Sequence, residues 1–481
     1  VVHQQVAFNS CSDSEANRAR FQAVEHQYDF VIVGGGIAGV TCAETLAALE
    51  PDARVLIVSA SPVVKAVTNL RPVTKLLEEF DVEERPLAEF QRQQRQRSGC
   101  GSVSVLHASC TGFNAETRQL RASLANPEPS AAGEAAEVRI GYGELCLCTG
   151  ASPKLIPQAR QHPDLVVGIR DTETVADLSK KLSTCRRVLV VGNGGIATEL
   201  VYELRNVDVV WAVRQDSIGA VFFDAGAAQF LLPSLARPGG ARVDKPGEAV
   251  ELLPTDTTAL TDSWPVFAAL SNGELLGVDL IVSATGVTPT ALLADGGVGP
   301  ALDAEGAVAV DRGMRSSLAH VFAAGDACGC AGWSSDGETS SAAEETRLWF
   351  QMRLWSQARQ TGSFAARCMS AARRGESPPP LDIGFELFTH VTRFFSYKIV
   401  LLGLYNAQGL ASGEYEALLR VTPGVEYVKC VMRNGRMQGC VLIGETDLEE
   451  TFENLILNQL DLSQFGEHLL DPGVDIDDYF D

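Results

Sequence analysis

The sequence has no long apolar run and no excess of basic residues. None of its apolar runs approaches the roughly 20 residues of a membrane-spanning helix, and residues 1–27 contain no stretch resembling a secretory signal. The formal net charge of −22 argues against nonspecific nucleic-acid binding through a basic face, but it is compatible with a basic protein partner. The 481 residues are enough for two or three globular domains.

Cysteine pairs at redox spacing are also missing. The 12 cysteines are spread over the chain, and no two are three or five residues apart, the spacings of CxxC and CxxxxC motifs. The closest pairs are Cys146 with Cys148 and Cys328 with Cys330. Cys146 and Cys148 fall in a strand pattern, where alternate residues share a face and pack. Free cysteines used as small apolar residues are typical of a reducing compartment, so we expect the protein in the cytoplasm and nucleus.

Residues 28–41, YDFVIVGGGIAGVT, form the most informative segment. A short apolar run opens onto glycines and a helical pattern follows, which predicts a buried parallel strand, a tight turn and a helix. Gly34 is expected to make the turn, Gly36 to let the backbone approach a pyrophosphate, and Gly39 to let the helix pack closely on the strand. The free N–H groups and the positive end of that helix would face the phosphates. The segment therefore predicts dinucleotide binding.

A second unit of strand, glycine turn and helix occupies residues 187–199, RVLVVGNGGIATE. Gly192, Gly194 and Ala197 take the three positions of the pattern. One glycine turn of this kind is weak evidence, but a chance turn does not recur with its strand and helix intact. Two units in one chain therefore predict two dinucleotide sites.

The residue after the second strand of each unit departs from the usual pattern. A dinucleotide fold commonly places an acidic residue there for the ribose hydroxyls. In the first unit, Ser59 stands near the end of strand 54–60, and it is expected either to bond a ribose oxygen or simply to end the strand. In the second, Arg214 follows strand 207–213, and it is expected either to bind the 2′-phosphate of NADP or to be solvated.

Three further turns follow apolar strands. They are Thr149-Gly150, Thr285-Gly286 and Gly325-Asp326, and a proline follows each Thr-Gly pair. Together with the two glycine loops, in this order, they resemble the two-dinucleotide-binding-domain flavoproteins of the pyridine nucleotide–disulphide oxidoreductase superfamily. The resemblance covers residues 28 to about 365, and at finer grain nearly the whole chain.

The resemblance implies an α/β fold with three parts. An FAD-binding Rossmann-like domain is interrupted by an inserted NAD(P)-binding Rossmann-like domain and is followed by a C-terminal α+β module. The implied boundaries are 1–27 for a flexible arm, 28–154 and 286–379 for the FAD domain, 155–285 for the inserted domain, 380–470 for the module and 471–481 for an acidic tail.

The resemblance also implies the residues that hold each cofactor. Those expected at FAD are Gly34, Gly36, Ile37, Ala38, Gly39, Ser59, Lys65, Thr149, Gly150, Gly325 and Asp326. Those expected at NAD(P) are Gly192, Gly194, Gly195, Ile196, Arg214 and Gly286. Lys65 is the one candidate for tuning the flavin, with a plain surface lysine as the alternative, and no metal is expected.

One feature of the superfamily is absent from this chain. Residues 43–99 contain no cysteine and residues 151–327 contain only Cys185, so the redox disulphide does not transfer. We therefore expect hydride transfer from NAD(P)H to the flavin, and electrons passing on to oxygen, a quinone-like acceptor or a partner's thiols. The resemblance further implies an oxidoreductase that protects the catalytic subunit of the tRNA ligase complex from oxidative inactivation.

Two other functions stay open at this point. One is a redox-sensing binding protein, which docks a partner in its reduced flavin–NAD(P)⁺ state. The other is a generic NADH oxidase or ferredoxin-reductase-like enzyme. The first would use NAD(P)H to expose a docking surface and would turn over slowly, whereas the second predicts fast turnover with a small acceptor.

The chain ends in an acidic tail, DPGVDIDDYFD. It is expected either to be a solvated end or to dock into a basic or metal-bearing groove of the tRNA ligase partner. The docking residues would be Asp475, Asp477, Asp478, Tyr479, Phe480 and Asp481. No direct nucleic acid or membrane partner is expected.

Three segments carry secondary-structure expectations that bear on the site. The charged run KLLEEFDVEE at 75–84 predicts a helix, and the Pro/Gly-rich residues 231–262 predict a surface insertion. Asn434-Gly435 predicts a hairpin turn.

Several single side chains have alternative interpretations. Trp349, Met352 and Trp355 recur at helical spacing, and core packing is preferred for them over cofactor stacking. Glu199 is expected to point into its domain, and His390, in a phenylalanine-rich stretch, to be a packed or interface histidine.

Overall fold

The computed structural model describes residues 26–96, 102–125, 137–169, 172–235, 242–244, 249–253, 264–292, 294, 299–330, 333 and 348–474. Most of the predicted arm and the docking residues of the predicted tail lie outside these ranges. The last two residues of the arm do not, because the first strand already begins at His26, where His26 and Gln27 pair with Ile140 and Gly141.

The strands and helices alternate as an α/β fold requires, and the predicted fold class is confirmed. In chain order, the strands are β1 (His26–Val33), β2 (Arg54–Ser59), β3 (Val63–Pro72), β4 (Glu78–Pro86), β5 (Ser102–Asn114), β6 (Gln119–Leu124), β7 (Glu137–Leu147), β8 (Ala151–Pro153), β9 (Val166–Gly168), β10 (Arg187–Val191), β11 (Asp208–Ala212), β12 (Arg242–Asp244), β13 (Ala249–Leu253), β14 (Val266–Leu270), β15 (Leu275–Val278), β16 (Leu280–Ser283), β17 (Val287–Pro289), β18 (Val308–Ala309), β19 (Val321–Ala323), β20 (Cys328–Gly329), β21 (Thr389–Phe394), β22 (Tyr397–Gly403), β23 (Glu416–Thr422), β24 (Glu426–Arg433) and β25 (Arg436–Ile443). The helices are α1 (Ile37–Leu49), α2 (Leu87–Gln96), α3 (Thr172–Leu182), α4 (Gly195–Glu203), α5 (Ala225–Leu231), α6 (Trp355–Arg373) and α7 (Glu449–Asn458). Within the described ranges, no helix is long and apolar enough to cross a membrane.

The first sheet has five parallel strands in the order β5-β2-β1-β7-β19, and β6 pairs antiparallel with β5 and β7. The centre of β1 is fully buried, as expected of a parallel strand covered on both faces. Helices α1 and α6 cross closely because Gly362 has no side chain, and an ideal Cβ there would overlap the Ala38 carbonyl oxygen. This crossing places Gly362, in the first half of α6, against Ala38 at the start of α1.

The inserted domain has its own parallel sheet, β12-β11-β10-β16-β9, and a three-stranded antiparallel sheet, β13-β14-β15. The expectation of a surface insertion at 231–262 is wrong for its described residues, because β12 extends the parallel sheet and β13 pairs with β14. Their partners lie elsewhere in the chain, so the local Pro/Gly-rich pattern does not reveal them.

Both connections between the two domains run side by side. Strands β8 and β17, which follow the two Thr-Gly turns, pair antiparallel, with Ala151 opposite Pro289. Thr285 Oγ1 donates a hydrogen bond to the Lys154 carbonyl over 2.7 Å, and Lys154 N donates to the Gly286 carbonyl over 2.9 Å. The carboxyl ends of both parallel sheets are thereby joined through one narrow double strand.

The C-terminal module is an antiparallel sheet in the order β21-β22-β25-β24-β23, with α7 packed on it. Asn434 and Gly435 both have positive φ, at 52° and 71°, so the predicted hairpin turn is confirmed between β24 and β25. Strand β21 is at the edge of the sheet and lies between β4 and α4. The module therefore reaches the space between the two dinucleotide units.

A charge pair between buried Lys429 and half-buried Asp224 holds this module against the inserted domain. Lys429 is only 6% exposed, and its Nζ binds the carboxylate of Asp224 and, over 2.7 Å, Oδ1 of Asn406. Tyr427 donates its hydroxyl hydrogen to Asp224 over 2.9 Å, and Asp224 also caps α5 by accepting from Ala227 N. Since an enclosed charge is stable only when it is paired, these contacts fix the relative position of the two domains.

The predicted helix at 75–84 is wrong, because most of it forms β4, which pairs antiparallel with β3. In this register, Lys65 lies opposite Glu84 and Arg71 opposite Glu79, and opposite charges across a strand pair favour the hairpin. The hairpin tip is held by Glu453 of α7, which accepts hydrogen bonds from Thr74 Oγ1 and from Leu76 N. These partners are distant in sequence, so the helical pattern of the local charges was misleading.

Candidate functional site

The glycines of the first glycine loop, between β1 and α1, have two different roles. Two of them make close backbone contacts, and one faces open space. Gly34 has a φ of +123°, and an ideal Cβ there would overlap the Cys148 carbonyl oxygen. A Cβ at Gly39 would overlap the Gly34 carbonyl oxygen. At Gly36 it would meet nothing within 4 Å. Gly34 and Gly39 are therefore required by the fold, whereas Gly36 leaves space for a ligand.

The second glycine loop, between β10 and α4, repeats this division. Gly192 has a φ of +135°, and a Cβ there would overlap the Ala284 carbonyl oxygen. Gly194 faces open space within 4 Å, and Ala197 is fully buried at the position that corresponds to Gly39. Trp211 donates its indole N–H to the Gly192 carbonyl over 2.7 Å. The two loops thus have the same local design in two different domains.

The helices that follow both loops begin without a capping side chain. Their N-caps are Gly36 and Gly194, which provide no side-chain hydrogen bond, and neither first turn contains an acidic residue. Helix α5 differs, because Asp224 caps it. The first N–H groups of a helix have no intrahelical partner, so those of α1 and α4 are available to an anion such as a pyrophosphate.

A single large cleft separates the inserted domain, the β3–β4 hairpin, the start of α6 and the β21 edge. Its volume is about 3160 Å³, well above the roughly 1,000 Å³ of a large small-molecule pocket, so it has room for more than one ligand. Eight predicted site residues line it: Lys65, Gly192, Gly194, Gly195, Ile196, Arg214, Gly286 and Asp326.

The first glycine loop does not line this cleft, but it adjoins it in two places. Lys65 N donates to the Gly35 carbonyl over 2.8 Å, and the Lys65 ammonium lies 3.9 Å from the carboxylate of Glu84. At the turn before Asp326, a Cβ on Gly325 would come within 2.7 Å of the Ala38 Cβ. Lys65 and Asp326 are thus held between the first loop and the cleft.

Three predicted residues have structural contacts of their own. Ser59 is 2% exposed, and its hydroxyl closes a turn by donating to the Ser61 carbonyl over 3.0 Å and accepting from Ser61 N. This geometry favours the strand-end interpretation of Ser59. Thr149 Oγ1 bonds the Thr290 carbonyl, and Gly150 has a φ of +71°, so this turn joins the two domain connections.

No described cysteine lines the cleft. Cys146 and Cys148 are both buried, and their thiols form a hydrogen bond with the sulfur atoms 3.5 Å apart, without a disulfide. The contact with the Cys146 thiol, together with burial, raises the pKa of Cys148 well above its ordinary value. Because the thiolate is the reactive form, these residues behave as packed apolar groups. Within the described part of the chain, no group of His, Cys, Asp or Glu side chains is arranged to hold a metal.

All three residues of the predicted stripe line the cleft, and Trp349 is also packed in the core. Helix α6 begins only at Trp355, so the expected helix at Trp349 and Met352 is wrong. Trp349 is buried and stacks on Trp333, with ring centroids 5.6 Å apart, as the core interpretation predicts. Trp355 is 59% exposed and lines the cleft, where core packing does not apply.

Glu199 also differs from its expected position. It points into the cleft and is exposed there. Partial enclosure by the cleft walls, with a contribution from nearby Glu203, raises the pKa of its carboxyl group. The expectation that Glu199 points into its domain is wrong, because the face of α4 that carries Glu199 is turned towards the cleft.

The aromatic wall of the cleft was missed by sequence reasoning. Phe222 of the inserted domain stacks on His390 of β21, with ring centroids 6.0 Å apart and planes 26° apart. The expectation of a packed histidine is correct in part, because the ring is half-buried and also lines the cleft. No local pattern links positions 222 and 390, so only the docking of the module brings them together.

The pH response of His390 follows from this location. Burial lowers its pKa from 6.5 to about 4. Between these values the unfolded chain binds a proton that the folded protein does not, so the free energy of unfolding should fall as the pH drops from 6.5 to 4. We expect the imidazole carbon resonances of His390 to stay unchanged between pH 8 and 5 in an NMR titration. The His390→Phe variant assigns the signal, and a midpoint near 6.5 would contradict the prediction.

Comparison with known proteins identifies relatives of the whole chain. The family model described as pyridine nucleotide-disulphide oxidoreductase matches residues 28–362. Curated relatives named pyridine nucleotide-disulfide oxidoreductase domain-containing protein 1 include one from Danio rerio, 44% identical over 95% of this chain and 99% of the relative. Another, from Mus musculus, is 42% identical over 94% and 98%. The resemblance inferred from the motifs is confirmed.

Solved structures share the fold at low identity. A NAD-dependent persulfide reductase from A. fulgidus superposes with a TM-score of 0.69 at 18% identity, over 91% of this chain and 78% of that one. A ferredoxin reductase from Rhodopseudomonas palustris gives 0.67 at 19%, over 94% and 99%. A water-forming NADH oxidase from Lactobacillus brevis gives 0.65 at 16%, over 94% of each chain.

Proposed function

The chain belongs to the pyridine nucleotide-disulphide oxidoreductase family, and we propose that it is an FAD-dependent oxidoreductase that accepts hydride from NAD(P)H without a redox disulphide. One observation carries the proposal: two uncapped glycine-loop helices adjoin one cleft that no described cysteine lines. Each loop would bind one dinucleotide. Because no described thiol lines the cleft, we expect no disulphide step in the reaction.

The residues of the first unit fit FAD. Gly36 leaves open the place where a Cβ would stand, and the first N–H groups of α1 are free to bind a pyrophosphate. Asp326 lies on the turn beside α1, where it would bond the ribityl and phosphate end. When bound, FAD supplies a ring system that accepts hydride from NAD(P)H.

The second unit fits NAD(P)H in the same way. Gly194 leaves open space and α4 presents its N–H groups, while Ile196, 41% exposed, offers an apolar surface at the cleft. Arg214, which follows β11, is exposed and lines the cleft, and it would bind a 2′-phosphate. The acidic neighbours Glu199 and Glu203 also line this part of the cleft, so Arg214 would be the residue that permits binding of NADPH as well as NADH.

Two groups beside the cleft favour negative charge in the ligand. Helix α6 starts at the cleft without a capping side chain and without an acid in its first turn, so its positive end is available. Lys65 contributes an ammonium group on the opposite hairpin. Both would stabilise electron density arriving on the bound ring system.

The walls of the cleft limit the class of acceptor. A protein thiol that relays electrons to an acceptor in the cleft must lie there, and none of the described cysteines lines the cleft. The electrons would therefore pass directly to a diffusing acceptor, such as oxygen or a quinone-like molecule, or to thiols of a partner protein. The exposed Trp355 marks a surface where a planar acceptor would stack.

Two matched glycine variants test the assignment of the loops. Gly36→Ala and Gly194→Ala each add one methyl group in open space at ordinary φ, −75° and −96°, so both proteins should fold. Gly36→Ala should purify with little bound flavin, measured by visible absorbance per polypeptide. Gly194→Ala should keep its flavin but bind NADH about tenfold more weakly, a loss of about 1.4 kcal/mol. If both variants affected both ligands equally, the two-site assignment would be wrong.

Mixing the flavin-loaded protein with one equivalent of NADH distinguishes an enzyme from a redox-sensing binding protein. Without oxygen, the visible absorbance should fall, and in air it should return within seconds, because the cleft is open to a small acceptor. A long-wavelength band that persists for minutes in air would favour the binding protein instead. NADPH in a parallel run, with Arg214→Ala as the control, reports the nucleotide preference.

We also propose that the protein guards the catalytic subunit of the tRNA ligase complex in the cytoplasm and nucleus, with the acidic tail as the docking element. Support comes from the family resemblance and from the tail's charge, since Asp475–Asp481 lie outside the described residues. Replacing 475–481 with a neutral Gly/Ser segment of equal length keeps Val474, which packs on the module, and should abolish binding to the purified subunit in a pull-down assay. Equal binding by both proteins would refute the tail's role.

A further inference from the structure

His390 stands where the C-terminal module meets the cleft. It lies on β21, the edge strand that contacts both β4 and α4. Its ring lines the cleft together with the residues of the second glycine loop. The proposed roles of FAD and NAD(P)H do not yet use this side chain.

The Phe222 ring connects His390 to the second glycine loop. An ideal Cβ on Gly195 would lie 3.3 Å from Cε2 and 3.5 Å from Cζ of Phe222, and 3.8 Å from Cζ of Phe394. The place beside Gly195 is thus taken by aromatic rings from other segments. His390 then stacks on Phe222, so the two rings continue from the loop along the wall of the cleft.

Neither ring nitrogen of His390 has a hydrogen-bond partner among the described residues. A neutral imidazole has one hydrogen-bond donor and one acceptor, and both stay available to a ligand when no protein group uses them. The imidazole faces the cleft, so a partner for it would come from whatever the cleft contains. A ligand in the cleft could therefore bond this ring without displacing a protein partner.

We propose that His390 binds the carboxamide of the nicotinamide ring of NAD(P)H, with Phe222 as the apolar wall behind it. The inference rests on the proposed function, because it assumes that the second loop holds the pyrophosphate of the same molecule. A primary carboxamide has an acceptor oxygen and donor hydrogens, and a neutral imidazole has one donor and one acceptor. The two groups are therefore complementary in hydrogen bonding.

The charge of the imidazole also suits this ligand. When hydride leaves NAD(P)H, the nicotinamide ring becomes positively charged, and a neighbouring imidazolium would oppose that change. Burial keeps the pKa of His390 at about 4, so the ring is neutral at the pH of the cytoplasm. Other charged groups line the cleft, among them Glu199 and Lys65, but neither contacts the His390 ring in a hydrogen bond or an ion pair.

This binding site depends on the contact between two parts of the chain. Phe222 belongs to the inserted domain and His390 to the C-terminal module. The pair of Lys429 and Asp224 holds these parts together, and Asp224 follows Phe222 by two residues. The module would therefore complete the nicotinamide site in addition to its own packing role.

The test compares NAD⁺ with ADP-ribose, which has the same pyrophosphate and ribose groups but no nicotinamide. Binding of each to the flavin-loaded protein is measured by titration calorimetry. His390→Phe keeps an aromatic ring against Phe222 and removes both hydrogen bonds, so it should bind NAD⁺ about tenfold more weakly and ADP-ribose with unchanged affinity. His390→Gln, which has one acceptor and one donor group, should recover most of the loss.

Equal weakening of both ligands in His390→Phe, or no weakening of either, would overturn the inference. A second measurement uses the unaltered protein and pyridine adenine dinucleotide, which lacks only the carboxamide. It should bind about tenfold more weakly than NAD⁺, and the difference should vanish in His390→Phe, since interacting groups are not additive. Equal affinities in the unaltered protein would reject the proposal even if the variant failed to fold. If the unaltered protein did not bind ADP-ribose at all, the result would instead count against the proposed function.

Discussion

The rest of the structure depends on backbone N–H groups at the starts of α1 and α4, for which the described side chains provide no cap. Exposing such groups to a ligand requires a chain that turns sharply out of a buried strand, and Gly34 and Gly192 make that turn at positive φ. It also requires free space in front of the helix, which Gly36 and Gly194 provide. Because parallel sheets bring the carboxyl ends of their strands to one edge, the second loop lines the cleft and the first loop adjoins it through Lys65.

The second constraint is the fixed position of the C-terminal module. The module contacts the inserted domain through the Lys429–Asp224 pair and receives the tip of the β3–β4 hairpin at Glu453. Each contact encloses a charge or polar group whose loss of a partner would be costly. The hairpin, the inserted domain and the module are thus held around one cleft, and β21 forms part of its wall.

The chemistry of the site follows from what surrounds it. No described cysteine lines the cleft, and burial together with the contact with the Cys146 thiol raises the pKa of Cys148, which disfavours its reactive thiolate form. Electrons from NAD(P)H would therefore pass from the flavin to the acceptor without a thiol of this chain in between. The relationship to persulfide reductases and NADH oxidases is one of fold at low identity, and the same fold hosts different acceptors through differences in such side chains.

The sequence by itself determined the two glycine units, the order of the domains, the absence of a redox cysteine pair and the turn at Asn434-Gly435. These features are local. A strand, a turn and a helix are adjacent in the chain, and the absence of a redox cysteine spacing can be read from the sequence directly. Tertiary structure decided the features that depend on distant partners. Most of the charged run at 75–84 became β4, which pairs with β3 so that Glu84 lies opposite Lys65 and Glu79 opposite Arg71, and Ser59 used its hydroxyl in a turn. Glu199 turned to the cleft, and His390 met Phe222 there, because the module docks on the inserted domain through charges far apart in sequence.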